Sequence, residues 1–175
     1  MPTSDQMIRW IPNLRRYARV LTRDVARADD LVQDTLTRAI ERQELFRQRT
    51  RPDDLRAWLF TIMHNLFVSD LRRDAGAALR DDDAETGQIP APATDPDLRK
   101  DLAAGFARLA VEHREVLMLV AVEGLSYADA AATLHVPIGT VMSRLSRARL
   151  RLAQFLAGEM PSMPPTGEPM LRVIK

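Results

Sequence analysis

The sequence predicts an all-α protein made of two small helical domains joined by a flexible linker. Three observations carry that prediction. Apolar residues recur at steps of three and four through residues 8–74 and again through 98–152, the stripe of amphipathic helices. Between these blocks, from Ala75 to about Asp97, glycine, three prolines and an acidic cluster replace large apolar residues, which is linker composition. Finally, Glu115 to Arg151 breaks into an apolar helix, a turn, a short helix, a second turn and a basic helix. The expected division is 1–75, a linker over 76–96, a second domain over 97–158 and a flexible tail over 159–175.

Composition bounds the function. The chain has 175 residues, 46% of them hydrophobic, enough for one domain or two small ones. Net charge is +1, so any nucleic-acid partner must be argued from where the charges lie. With no cysteine, disulfides and thiolate metal sites are excluded, and a reducing cytoplasm fits. His64, His113 and His135 are far apart with no paired spacing, so neither a metal site nor a cofactor is expected. No signal-peptide pattern opens the chain, and no apolar run is long enough to span a bilayer. Lys100 and Lys175 are the only lysines. Arginine suits bidentate phosphate and base contacts, but genome base composition explains the bias equally well.

The first helix is expected over Asp5 to Leu21, on a stripe of Ile8, Ile11, Leu14, Ala18 and Leu21, with a kink or a late start near Ile11 imposed by Pro12. The second runs from about Val25 to Phe46, with Asp29 and Asp30 near its positive end. Its apolar side is Leu31, Thr35, Leu36, Ala39 and Ile40; Asp30, Gln33, Asp34, Thr37, Arg38 and Glu41 point elsewhere, by default to solvent. The polar stretch 47–54, with Arg47, Arg49, Arg51 and Pro52, is a basic loop. A third long helix covers about Asp54 to Arg73, packing through Leu55, Trp58, Leu59, Ile62, Leu66 and Val68. Trp58 belongs to the core. Asn65 offers donor and acceptor together, which suits an exposed base edge or an amide bonded to its own loop.

The linker carries seven acids against three bases from Gly76 to Asp101. Leu98, Leu102, Phe106 and Leu109 then form a stripe leading into the second block. Val116 to Val122 is a buried helix that Gly124 stops; Ser126 with Asp129 makes a capping-box-like start for Tyr127 to Leu134; His135 and Val136 break the chain; Pro137 suits the next first turn. This is a helix-turn-helix pattern, whose second helix can enter a major groove. At about 100° per residue, Val141, Leu145, Ala148 and Leu152 share one side of that helix. Ser143, Ser146 and Arg147 lie opposite, flanked by Thr140 and Arg144. From Val136 to Arg151 there are four arginines and no acid, a pattern for phosphate contact with small polar groups between for base edges.

The stretch GLSYADAAATLHVPIGTVMSRLSRARLRL resembles region 4 of the extracytoplasmic-function sigma factors, small bacterial transcription initiation factors. The family pattern runs from Gly124 through Arg149. By that resemblance Thr140, Met142, Ser143, Arg144, Ser146 and Arg147 face the −35 promoter element, although Met142 stands where lysine or arginine is frequent. DDLVQDTLTRAI looks like region 2.2, which docks on the clamp helices of the polymerase β′ subunit; this assigns Asp30, Gln33, Asp34 and Arg38 to core polymerase. DDLRAWLFTIMHNLFVSDLRR looks like regions 2.3 and 2.4, with Trp58, Leu59, Ile62, Asn65, Ser69, Asp70, Arg72 and Arg73 on the family pattern. The resemblance assigns Asn65, Ser69, Arg72 and Arg73, with Arg47 and Arg49 of the basic loop, to the unstacked −10 element. His113-Arg114-Glu115 matches the region 4 entry in part, because Ala110 and Val111 stand where proline is frequent.

Further implied are promoter DNA, core RNA polymerase (β′ clamp helices and β flap), an anti-sigma factor, a cytoplasmic site of action, and recruitment in place of catalysis. IPNLRRYARVLTRD with VEGLSYADAAATL looks most like the alphaproteobacterial general-stress subgroup, whose members are held by a small helical anti-sigma factor and released by a response regulator with a sigma-like decoy domain. A stand-alone helix-turn-helix regulator is the alternative. A decoy lacking DNA binding is a narrower one, against which the arginines of the recognition helix argue. An enzyme would need a nucleophile–base set, a phosphate loop or metal spacing, and none is present in the sequence.

Overall fold

Pro12 and Asp24 decide where the first helices begin. The computed structural model describes residues 4–44, 46, 55–77 and 96–158. Helix α1 (Ser4–Ile8) is short; the chain breaks at Arg9 and Trp10, and α2 (Ile11–Thr22) starts with Pro12 in its first turn, where the missing N–H leaves no donor unpaired. The single helix expected over Asp5 to Leu21, with a kink or a late start near Ile11, is thus two helices with a break just before Ile11. Arg23 closes α2 in the left-handed region (φ 57°), its N–H returning to the Arg19 carbonyl. Asp24 caps α3 (Val25–Glu41), its carboxylate accepting the Arg27 N–H at 2.7 Å.

Along α3, Ala28, Leu31, Val32, Thr35 and Ala39 are buried, and the Thr35 hydroxyl is satisfied by donating to the Leu31 carbonyl at 2.7 Å. Ile40, expected on this side, is exposed. Phe46 is buried and lies against Trp58 with ring centroids 4.7 Å apart. Helix α4 (Leu55–Ala77) runs four residues past the expected Arg73. It buries Leu55, Leu59, Phe60, Ile62, Met63 and Phe67, more than one face, because α2 and α3 cover it on one flank and the second block on the other. Phe60 meets Tyr17 edge to face at 5.3 Å.

In the second block, α5 (Pro96–Arg108) is followed by a break at Leu109 and Ala110, and α6 (Val111–Leu117) passes into a π-helical turn over Met118–Val122. The wider turn is fixed by the Glu123 N–H bonding the Met118 carbonyl at 2.8 Å. The uniformly buried helix expected over Val116 to Val122 is therefore covered only in part: Val122 is exposed while Glu123 is buried. Gly124 then turns the chain at φ 67°. Ser126 caps α7 (Tyr127–Leu134), accepting the Asp129 N–H at 3.0 Å and donating to its carboxylate at 2.6 Å. His135 makes a left-handed break (φ 53°), and α8 (Ile138–Leu156) follows, with Pro137 immediately before the helix. Gly105 lets α5 approach α8; a Cβ there would stand 2.7 Å from Leu152 Cδ1 and 2.8 Å from Phe155 Cδ1.

The two blocks are docked. Their buried apolar residues form one cluster, with α4 against α7 and α2 against α6 and the π-helical turn.

Candidate nucleic-acid interface

Helix α8 turns Val141, Leu145 and Ala148 into the core, as the sequence periodicity requires. That fixes its other side outward. Met142, Ser143, Ser146 and Arg147 are exposed, and Thr140 and Arg144 are half-buried at the edge. Ser143 donates to the Thr140 carbonyl at 3.1 Å, a weak local bond that a base edge could replace. Arg144, Arg147, Arg149 and Arg151 project from a helix without an acid. Their field reaches His113 beneath them: burial first, then Arg151, with smaller contributions from Arg144 and Arg147 against Glu112, holds its pKa below the ordinary 6.5.

A second polar face runs down α4. Asn65, Ser69, Arg72 and Arg73 are exposed at helical spacing, and Arg73 pairs with Asp70. Asn65 is already engaged, and not with its own loop: its Oδ1 lies 2.9 Å from His135 Nε2, in the turn before the recognition helix. Arg47 and Arg49 lie outside the described residues. The third set, Asp30, Gln33, Asp34 and Arg38, occupies the exposed face of α3, where Arg38 also approaches Glu41 at 3.7 Å. The three sets are separate surfaces, on α8, α4 and α3.

What sequence reasoning missed is the polar seam that joins the blocks. Glu123 receives Asn13 Nδ2 at 2.7 Å and Arg16 Nε at 2.8 Å on its carboxylate, while its carbonyl accepts from Arg56 at 2.6 Å. Arg56 also reaches the Gly124 carbonyl at 3.2 Å and lies over the Trp10 ring. Deeper, the Glu115 carboxylate is 2.8 Å from His64 Nδ1 and accepts the Tyr17 hydroxyl at 3.3 Å. Burial, then the charge of Glu115, pushes the Tyr17 phenol well above its usual 10. Thr61 and Thr133 meet at 3.2 Å. The available signal was Glu115 and Glu123 bracketing an apolar run, and His64 inside another; both imply buried polar groups that need partners.

Arg114 is not fully satisfied. It is 8% exposed, and its Nε is buried without a hydrogen-bond partner. Burial, then the nearby Arg23 charge, lowers its pKa from the ordinary value. Among the described residues no cluster of histidine, aspartate and glutamate could hold a metal, and no helix is long and apolar enough to cross a membrane.

Two family models match the chain: the sigma2 domain of PhyR over residues 7–64, and sigma-70 region 4 over residues 99–152. The chain is 37% identical over 157 residues to the ECF RNA polymerase sigma factor EcfG of Rhodopseudomonas palustris, covering 87% of this chain and 83% of that protein. It is 38% identical over 139 residues to the ECF RNA polymerase sigma factor SigL of Mycobacterium tuberculosis, covering 75% and 76%. Among solved structures, the sigma factor RpoE of Bartonella quintana, crystallised with the anti-sigma factor NepR, superposes with a TM-score of 0.75 at 34% identity, over 89% of this chain and 97% of that one.

Proposed function

Because the chain belongs to the extracytoplasmic-function sigma factors of RNA polymerase, which direct promoter-specific transcription initiation, we propose that its three exposed polar faces divide that task. Helix α8 enters the major groove of the −35 duplex, with Ser143, Ser146 and Arg147 at base edges and Thr140 and Arg144 at the backbone. The exposed face of α4 holds the melted −10 strand: Asn65 hydrogen-bonds an unstacked base, Ser69 lies beside it, and Arg72 and Arg73 meet phosphate. Asp30, Gln33, Asp34 and Arg38 on α3 form the docking surface for core polymerase, a mixed-charge face suited to partner choice. The expected domains, 1–75 and 97–158, then correspond to a polymerase and −10 module and a −35 module.

The observation that carries the reading is the exposed, acid-free face of α8, built on a core side that fixes its direction. The seam adds a requirement. Asn65 is bonded to His135, so base capture needs that contact to break. Since α3 is clear of the seam, polymerase can engage the docked chain first and separate the blocks afterwards. Control by a small helical anti-sigma protein is the regulation this reading favours, supported by the Bartonella relative solved with NepR and by the sequence resemblance to the general-stress subgroup. The work is recruitment and strand capture, not bond-making, and its place is the cytoplasm with the polymerase.

Run-off transcription with purified core polymerase on genomic promoters tests this. New specific transcripts are expected on adding the chain, falling about ten-fold with Arg147→Ala or Asn65→Ala. Absence of any transcript, together with tight duplex binding in the absence of polymerase, would replace this reading with a stand-alone regulator.

A further inference from the structure

The first two turns of α8 expose two large apolar side chains among small, polar and cationic ones; Leu150 and Leu156, also exposed, lie in its later turns. Ile138, the first residue of α8, is 49% exposed, and Met142, one turn on, is 52% exposed. Spaced by four, they stand side by side on one flank, next to the Ser143 and Ser146 face and opposite the Arg144 and Arg147 flank. Neither is needed for the core, which Val141, Leu145 and Ala148 supply. Gly139 between them has nothing within 4 Å of a Cβ position, so the space around this corner is open.

Resting on the reading of α8 as the −35 helix, we propose that Ile138 and Met142 read the C5-methyl groups of thymines in the −35 duplex. The chemistry of the groove selects that occupant. Guanine, cytosine and adenine present only polar donors and acceptors at the major-groove edge; thymine alone adds a methyl. An apolar pair in the groove thus loses its water favourably only where a thymine stands, and it leaves buried polar edges unpaired at other bases. The thioether of Met142 can adapt its three torsions to the methyl, while β-branched Ile138 offers a fixed edge. Charge complementarity argues for DNA over an apolar protein partner: Arg144, Arg147, Arg149 and Arg151 stand on the same helix as the pair, with no acid on it to balance them.

The test uses holoenzyme assembled from core polymerase and the full chain, on a promoter it transcribes. Each −35 thymine is replaced, one at a time, by deoxyuridine, which removes the methyl and keeps every hydrogen-bonding group. Wild type is expected to lose about four-fold in open-complex formation at one or two positions, the worth of a buried methyl-sized group. Ile138→Ala and Met142→Ala should start lower on the thymine template and be insensitive to deoxyuridine at the position each one reads. Undiminished transcription by wild type on all deoxyuridine templates overturns the inference while leaving the initiation reading intact. So does deoxyuridine sensitivity that both variants retain. Absence of any promoter-directed transcript overturns the initiation reading, and this inference with it.

Discussion

The Glu123 carboxylate, whose side chain is 1% exposed, lies 2.7 Å from the guanidinium of Arg16, 107 positions earlier in the chain. Asn13 donates to its other oxygen, so a single buried acid ties α2 to the turn that precedes the helix-turn-helix. Removing the acid strands both donors. Glu123→Ala is expected to lower stability in urea unfolding by about 3 kcal/mol, near the low end for a broken buried pair because Arg16 keeps 25% of its side chain exposed and can turn to water. Trp10, under Arg56, should report the same loss as a change in emission in the folded baseline. A stability change within 0.5 kcal/mol, roughly the scale of an ordinary surface substitution, would mean that the seam contributes nothing.

Arg114 presents the opposite case. Its Nε is buried without a hydrogen bond, and burial together with the repulsion of Arg23 outweighs the attraction of Glu115 and Glu112. Arg114→Met keeps the aliphatic volume and removes the charge. Thermal unfolding is expected to move upward, by the equivalent of about 1–3 kcal/mol. A lower midpoint would show that the charge is favourably placed in the folded chain.

How much of this was legible in the sequence differs by element. Helix α8 could be oriented from residue types because one side is apolar and the other is not, and burial of Val141, Leu145 and Ala148 agrees with that periodicity. Helix α4 could not, because Phe60 and Met63 lie off the Leu55–Leu59–Ile62 stripe and are buried by a second neighbour that periodicity along one helix never reveals. The left-handed turn at His135 could be read as a break, but not the ring's bond to Asn65, since a contact across 70 positions leaves no local signal. The π-helical turn was illegible for a similar reason: apolar residues fill Met118–Val122 either way, and only the burial of Glu123 favours the wider turn.

The acid limb of stability should depend on His113. Burial, then Arg151, keeps its folded pKa below the ordinary 6.5, with Arg144 and Arg147 adding and Glu112 opposing. The sign follows from linkage: below about 6.5 the unfolded chain takes up a proton that the folded chain resists, so stability falls with pH down to the depressed folded value and levels below it. His113→Leu should flatten the stretch of the urea-midpoint profile that lies below about pH 6.5. An unchanged profile would place the acid sensitivity in other groups.

His135 offers a way to separate the seam from the fold. Its backbone is left-handed (φ 53°), a conformation in which glycine is unstrained, while its ring meets Asn65 at 2.9 Å. His135→Gly therefore deletes the ring contact without opposing the turn, and the folded chain should keep its stability to within about 1 kcal/mol. With the amide released, Asn65 has its acceptor and donors free for a base. Binding of a single-stranded −10 oligonucleotide to the holoenzyme should strengthen about three-fold, the worth of one exposed hydrogen bond no longer broken on binding. Asn65→Ala should weaken the same binding, and in the double variant the gain should vanish. Were His135→Gly to bind the oligonucleotide no better than wild type while remaining folded, the contact would be a neutral surface bond, and opening of the seam would be limited by Glu123 and Glu115 alone.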